Sequence, residues 1–244
     1  MKAVLATYLR ELRAYFLSPL AYVVAFFFLA INGFLFAALV TQLTQPGAPS
    51  GSPMGYFLGS TWLFLLGLGT FLPMRLFSEE LRSGSIEVLM TAPITEGQVV
   101  AGKYLAALSF FAVLWAPTLA YAGIAARYGA EIQWGPVASG YLSILLVGAL
   151  YLAVGTFASA MTKSQLVAAI VTFALLIVLF LIGYFGQFAS DELWKNVFSY
   201  LDANAHMDEL GRGVVDTRRL VFYVSLSWFF LFLTSRALED RKWR

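Results

Sequence analysis

The chain has no cysteine in 244 residues, which removes disulfides, thiolate nucleophiles and cysteine-ligated metals and leaves the redox compartment unreadable. Charge is also scarce. Asp, Glu, Lys and Arg make up 12% of the chain, about half of the roughly 25% usual in soluble domains. The net charge of +2 is too small to draw in nucleic acid, so no such partner is expected. The single histidine, His206 in "LDANAHMDEL", has Asp202, Asp208 and Glu209 nearby but no recognisable ligand spacing, so a structural role is expected rather than a metal site.

What fills the space is apolar: 60% of residues are hydrophobic and 16% aromatic. A helix needs about 20 apolar residues to cross a hydrocarbon core of about 30 Å. Leu20–Val40, Tyr56–Met74, Leu105–Ala126, Tyr141–Met161 and Leu166–Phe188 meet that length. Leu220–Ser235 is shorter and is expected to span with Arg218 and Arg219 snorkelling to the headgroups. The expected fold is an all-α integral membrane protein of six transmembrane helices, a single domain over residues 1–244 in contact with membrane lipid. The first run is too long, and too far from the start, for a cleaved signal peptide. No internal repeat supports an inverted-repeat carrier.

Inside those runs there is no Asp, Glu, Lys, Arg or His; Asn32 and Gln187 are the most polar side chains. Ion-coupled carriers and membrane-embedded hydrolases both need ionisable groups at depth, so both are disfavoured. The chain is not expected to be an enzyme. Any energy for transport must come from elsewhere.

Orientation follows from basic residues. Of 16 Lys and Arg, 11 fall on the side that holds both termini, the loop 75–103 and Lys163. The positive-inside rule makes that side cytoplasmic and puts 189–219 outside. The leader "AVLATYLRELRAYFLSP" spaces Leu5, Tyr8, Leu9, Leu12, Tyr15 and Phe16 at helical intervals, with Arg10, Glu11 and Arg13 elsewhere on the wheel. Residues 1–19 therefore read as an amphipathic interfacial helix, or as a leader that only aids insertion. In the outer loop, Trp194, Phe198, Leu201 and Leu210 suggest short helices at the outer interface.

The loop 75–103 is the polar exception. "GQVVAGK", Gly97–Lys103, matches seven positions of a phosphate-binding loop, but Tyr104 stands where Ser or Thr should bind Mg²⁺, and no strand precedes it. Gly102 instead suits close packing and Lys103 an anchor at the cytoplasmic surface. Thr95 and Gln98 fit a capping box. Pro93 stops a preceding helix, and a short helix from Ser85 would carry Ile86, Leu89 and Met90 on one face, with Glu79, Glu80 and Glu87 around it. That pattern suits docking into a groove on a cytoplasmic partner, or a solvated loop whose apolar face rests on lipid.

"RLFSEELRSGSIEVLMTAPITEGQVVAGKY", after the second span, together with the leader and six spans, resembles the permease subunit of type-2 ATP-binding-cassette exporters. The tail from "HMDELGRGVV" onward is similar to the gliding-motility-associated branch of that family. The resemblance implies two permeases side by side, the second a copy or a different chain. Each would rest on a separate cytoplasmic ATPase that holds ATP and Mg²⁺, with no cofactor on this chain. It also implies an inner-membrane location. Glu79, Glu80, Arg82, Gly84, Glu87 and Leu89 would match the coupling helix between spans two and three, and the leader the interfacial connecting helix. A non-transporting scaffold for a motility or secretion complex is the alternative reading.

Overall fold

A computed structural model describes residues 2–43, 45, 53–86, 94–127, 132–188 and 191–242. Its helices are α1 (Lys2–Leu17), α2 (Pro19–Leu43), α3 (Pro53–Gly59), α4 (Trp62–Phe71), α5 (Ser78–Ser83), α6 (Glu96–Trp115), α7 (Ala120–Arg127), α8 (Trp134–Met161), α9 (Gln165–Phe188), α10 (Glu192–Leu201), α11 (Ala203–Gly211) and α12 (Thr217–Lys242). No strand occurs among the described residues.

Helix α8 is the hub of the bundle and packs against α4, α6, α9, α11 and α12. Its buried face carries small residues, including Gly148, Ala153, Gly155, Ala158 and Ala160. Lipid tails are as apolar as leucine, so helices in a membrane associate through close packing, which small residues permit. At Gly155 an added Cβ would stand 2.3 Å from Pro73 Cγ and 2.9 Å from the Gly69 carbonyl. Only glycine allows that contact.

Among the described residues five helical stretches are long and apolar enough to cross a membrane: Ala21–Leu43, Glu96–Arg127, Trp134–Met161, Gln165–Gly183 and Thr217–Arg241. The expected second span, Tyr56–Met74, is not one helix. It breaks after Gly59, where Ser60 Oγ donates to the Phe57 carbonyl at 2.8 Å and Thr61 Oγ1 to the Leu58 carbonyl at 2.7 Å. These hydroxyls satisfy carbonyls that a continuous helix would have used, which lets the backbone turn at depth. Pro73 then opens a single 3₁₀ turn, Pro73–Arg75. The last span is longer than its apolar run, because the helix continues through the charged residues at both ends of Leu220–Ser235.

The outer faces of α2, α9 and α12 expose Phe26, Phe34, Leu166, Ile170, Val221 and Trp228. Lipid solvates such surfaces, which water would not. Asn32, fully buried, donates to the Phe28 carbonyl of its own helix at 2.8 Å. The segment after α9 folds back as two unlike helices. None of the α10 residues is buried, and Leu193, Trp194 and Val197 are exposed. By contrast α11 inserts against α3, α8 and α9, so Leu210, expected at the outer interface, is fully buried. Ser139 Oγ donates to the Leu210 carbonyl at 2.6 Å and holds α11 to α8.

Candidate functional site

The polar loop leaves the bundle through a stem locked to α8. Ser159 Oγ accepts from the backbone amides of Phe77 and Ser78, each at 3.1 Å, and donates to the Met74 carbonyl at 2.9 Å. Leu76, Phe77 and Leu81 are buried beneath α5. Helix α5 ends at Gly84, whose φ of 74° is left-handed and favours glycine. Glu79 and Arg82 stand exposed on α5. Ile86 departs from its expected place on a partner-facing surface: it is 7% exposed and belongs to the chain's own core. Glu87, Leu89, Met90 and Pro93 lie outside the described residues.

The return strand of the loop enters α6 through a capping box between Thr95 and Gln98, in which Gln98 Oε1 accepts from the Thr95 amide at 3.4 Å. One turn later α1 lies along α6. At Gly102 an added Cβ would fall 2.8 Å from Thr7 Cβ and 3.0 Å from the Val4 carbonyl, so this glycine sets the spacing of the two helices. Tyr8 Oη donates to Ser109 Oγ at 3.1 Å along the same seam.

That contact brings four charges together. Lys103, only 1% exposed, sends its ammonium to Glu11 Oε1 at 3.0 Å, Glu80 Oε1 at 2.9 Å and the Leu76 carbonyl at 2.8 Å. The ammonium donates hydrogen bonds to Glu11 and the Leu76 carbonyl and meets Glu80 as an ion pair. Arg10 closes the cluster from the open side, 2.8 Å from Glu11 Oε1 and 3.1 Å from Glu80 Oε1. Lys103 also lies over the Phe77 ring, 5.3 Å from its centroid. Burial works to raise the Glu11 carboxyl, yet Lys103 and Arg10 hold it below the usual carboxylate range. Burial likewise opposes the charge on Arg10, while Glu11 and Glu80 raise its guanidinium above its ordinary value.

Lys103 therefore does not sit at the lipid surface as an anchor. It is an interior tie between the leader helix, the stem of the loop and a spanning helix. Arg10 and Glu11, expected only elsewhere on the leader wheel from its apolar face, were not foreseen as partners. The sequence signal for them is an acidic residue between two arginines on the leader, and it carries no information on a partner 92 residues away. "GQVVAGK" is helical from its first residue, so most of its amides serve the helix instead of forming the open nest of a phosphate loop.

A second polar group occupies the opposite end. His206, fully buried, shares a hydrogen bond of 3.0 Å between Nδ1 and Tyr223 Oη. Asp202 Oδ1 caps α11 by accepting from the amides of Asn204 and Ala205 at 2.9 and 3.3 Å. Arg219, expected to reach the headgroups, instead turns to Glu209 at 3.3 Å and lies over Tyr200. Burial and the Arg219 charge push the His206 imidazole down to about 4.

The arrangement supplies mechanical linkage between a polar loop and membrane helices. No curated protein matches the chain. The family model for ABC-2 family transporter proteins matches residues 61–235, most of the chain, from the break in the second apolar run to the end of the last. The chain belongs to the ABC-2 transporter family.

Proposed function

We propose that this chain is the permease subunit of an ATP-driven exporter, working beside a second permease and seated on a separate cytoplasmic ATPase that binds ATP and Mg²⁺. The loop 75–103 is the docking element. The observation that carries this reading is the buried Lys103, paired at once with Glu80 on the loop stem and Glu11 on the leader. A push on the loop stem is thereby delivered to α6 and α1 together, because breaking a buried ion pair from one side is costly. The broken second run acts as a sixth crossing in two pieces, and both termini face the cytoplasm of the inner membrane.

The burial of Lys103 and its pairing with Glu11 and Glu80 support the view that nucleotide is bound by the partner and not by "GQVVAGK". Membership of the gliding-motility branch rests on the resemblance of residues 206–244.

The test is reconstitution. The chain is placed in vesicles with a candidate ABC ATPase, and ATP hydrolysis and ATP-dependent movement of candidate amphiphiles are followed. Stimulated hydrolysis with export supports the proposal. A stable complex that hydrolyses ATP but moves nothing makes the chain a scaffold.

A further inference from the structure

Between α5 and the end of α12 lies an open cleft of about 780 Å³. Among the described residues, part of its lining is apolar, with Leu81, Ile86 and Ala237, and part is cationic, with Arg82, Lys163 and Arg241 against the carboxylate of Asp240. These cations differ from those of the Lys103 cluster. Among the described residues none of the three is in an ion pair; Arg241 donates to the Met161 carbonyl at 2.9 Å, which fixes it at the cleft wall. Among the described residues positive charge is in surplus here.

Position narrows the ligand. The cleft opens where α8 ends, α9 begins and α12 leaves its apolar stretch, and next to it Met161 and Leu166 present exposed apolar side chains. A ligand that fits both surfaces has an anionic head and a hydrocarbon body. We propose that this cleft binds the phosphate headgroup of an anionic phospholipid from the leaflet at this end of the bundle. Basic pockets between helix ends retain such headgroups, and the planar fork of arginine matches phosphate oxygens in pairs. The volume lies within the range of about 300–1,000 Å³ of small-ligand sites. The bound lipid bridges α5 to α12, two elements that the Lys103 cluster leaves unlinked, so the leaflet's anionic content sets how firmly the loop stem is held.

The test uses the full-length chain alone, so its outcome is independent of any ATPase. The protein is exchanged into nanodiscs of phosphatidylcholine with a minor share of phosphatidylglycerol, and the lipid retained after detergent extraction is measured by native mass spectrometry. Retained lipid should be enriched in phosphatidylglycerol. Arg82→Gln and Lys163→Gln, both at exposed positions, should each lower that retention about fivefold, the effect of one cation near a membrane surface. Lys163→Arg should retain it, and Arg13→Gln, an equal loss of charge on α1 outside the cleft, should leave it unchanged. Equal losses in Arg13→Gln and Lys163→Gln would reduce the effect to general surface charge and overturn the proposal. So would unchanged retention in both cleft variants. Release of the lipid by inorganic phosphate at matched ionic strength would assign the cleft to a free anion instead. That result also overturns it.

Discussion

Lys103 Nζ stands 2.9 Å from Glu80 Oε1 although a polar loop separates the two residues in sequence. The pair closes the base of that loop. With Glu11 reaching the same ammonium at 3.0 Å, residues from three elements meet at one buried charge, and the loop cannot move without α6 and α1.

Removing that charge leaves two part-buried carboxylates sharing Arg10 alone. Lys103→Met should destabilise the chain by about 3–5 kcal/mol, the cost of breaking a buried pair from one side. Adding Glu11→Gln and Glu80→Gln to Lys103→Met should recover much of the loss, since the surplus negative charge that Arg10 cannot balance is gone. Thermal unfolding in one detergent compares the variants. A triple variant no more stable than Lys103→Met would show that surplus negative charge is not the source of the loss.

Acid should weaken the fold in two separable windows. The imidazole of His206 is held at about 4, below its ordinary 6.5, so the unfolded chain takes up the proton first and stability falls as pH drops from about 6.5 to about 4. Glu11, with its carboxyl depressed from 4.5, contributes stability that is full above 4.5 and lost as pH falls through its lower folded value. His206→Gln should flatten the melting temperature between pH 6.5 and 4 and leave the steeper fall below. An unchanged slope in the upper window would remove His206 as its source.

Ile86 and Leu89 should separate core from docking. Ile86 is buried in the chain's own core, so Ile86→Ala should lower stability by about 2–5 kcal/mol. Under the proposed function, Leu89→Ala should instead weaken ATPase association by about 1–3 kcal/mol, the scale of burying one aliphatic side chain, with little change in melting temperature. Co-purification and unfolding, measured on the same variants, give the comparison. Two variants with the same profile would end the distinction.

Topology can be read from single cysteines, since the native chain has none. Lys195→Cys on α10 and Asp240→Cys near the end of α12, both at exposed positions, should react with an impermeant maleimide from opposite sides of the membrane, Lys195→Cys from outside. Reaction of both from one side would mean that α12 does not cross.

The sequence alone determined the solvent and most of the helices. Runs of about 20 apolar residues leave only helices as a means of satisfying backbone groups in lipid, so composition and run length were enough to locate five helices apolar and long enough to cross, although α6 and α8 begin, and α12 ends, more than a turn beyond their apolar runs. It also determined the local chemistry at Thr95–Gln98 and Gly102, because a capping box spans one turn and a glycine inside a helix leaves room for close approach. Tertiary structure decided what depends on distant partners. Tyr56–Met74 breaks because Ser60 and Thr61 find carbonyls one turn back and Gly155 of α8 admits Pro73, a contact that hydropathy does not encode. Lys103 became an interior tie instead of a surface anchor because Glu11 and Glu80 converge on it from separate elements, and Arg219 turned from the headgroups to Glu209 for the same reason. A charge beside an apolar run has two low-energy fates, headgroup water or an opposite charge with satisfied hydrogen bonds. Which of them prevails is set by where the rest of the chain places its carboxylates.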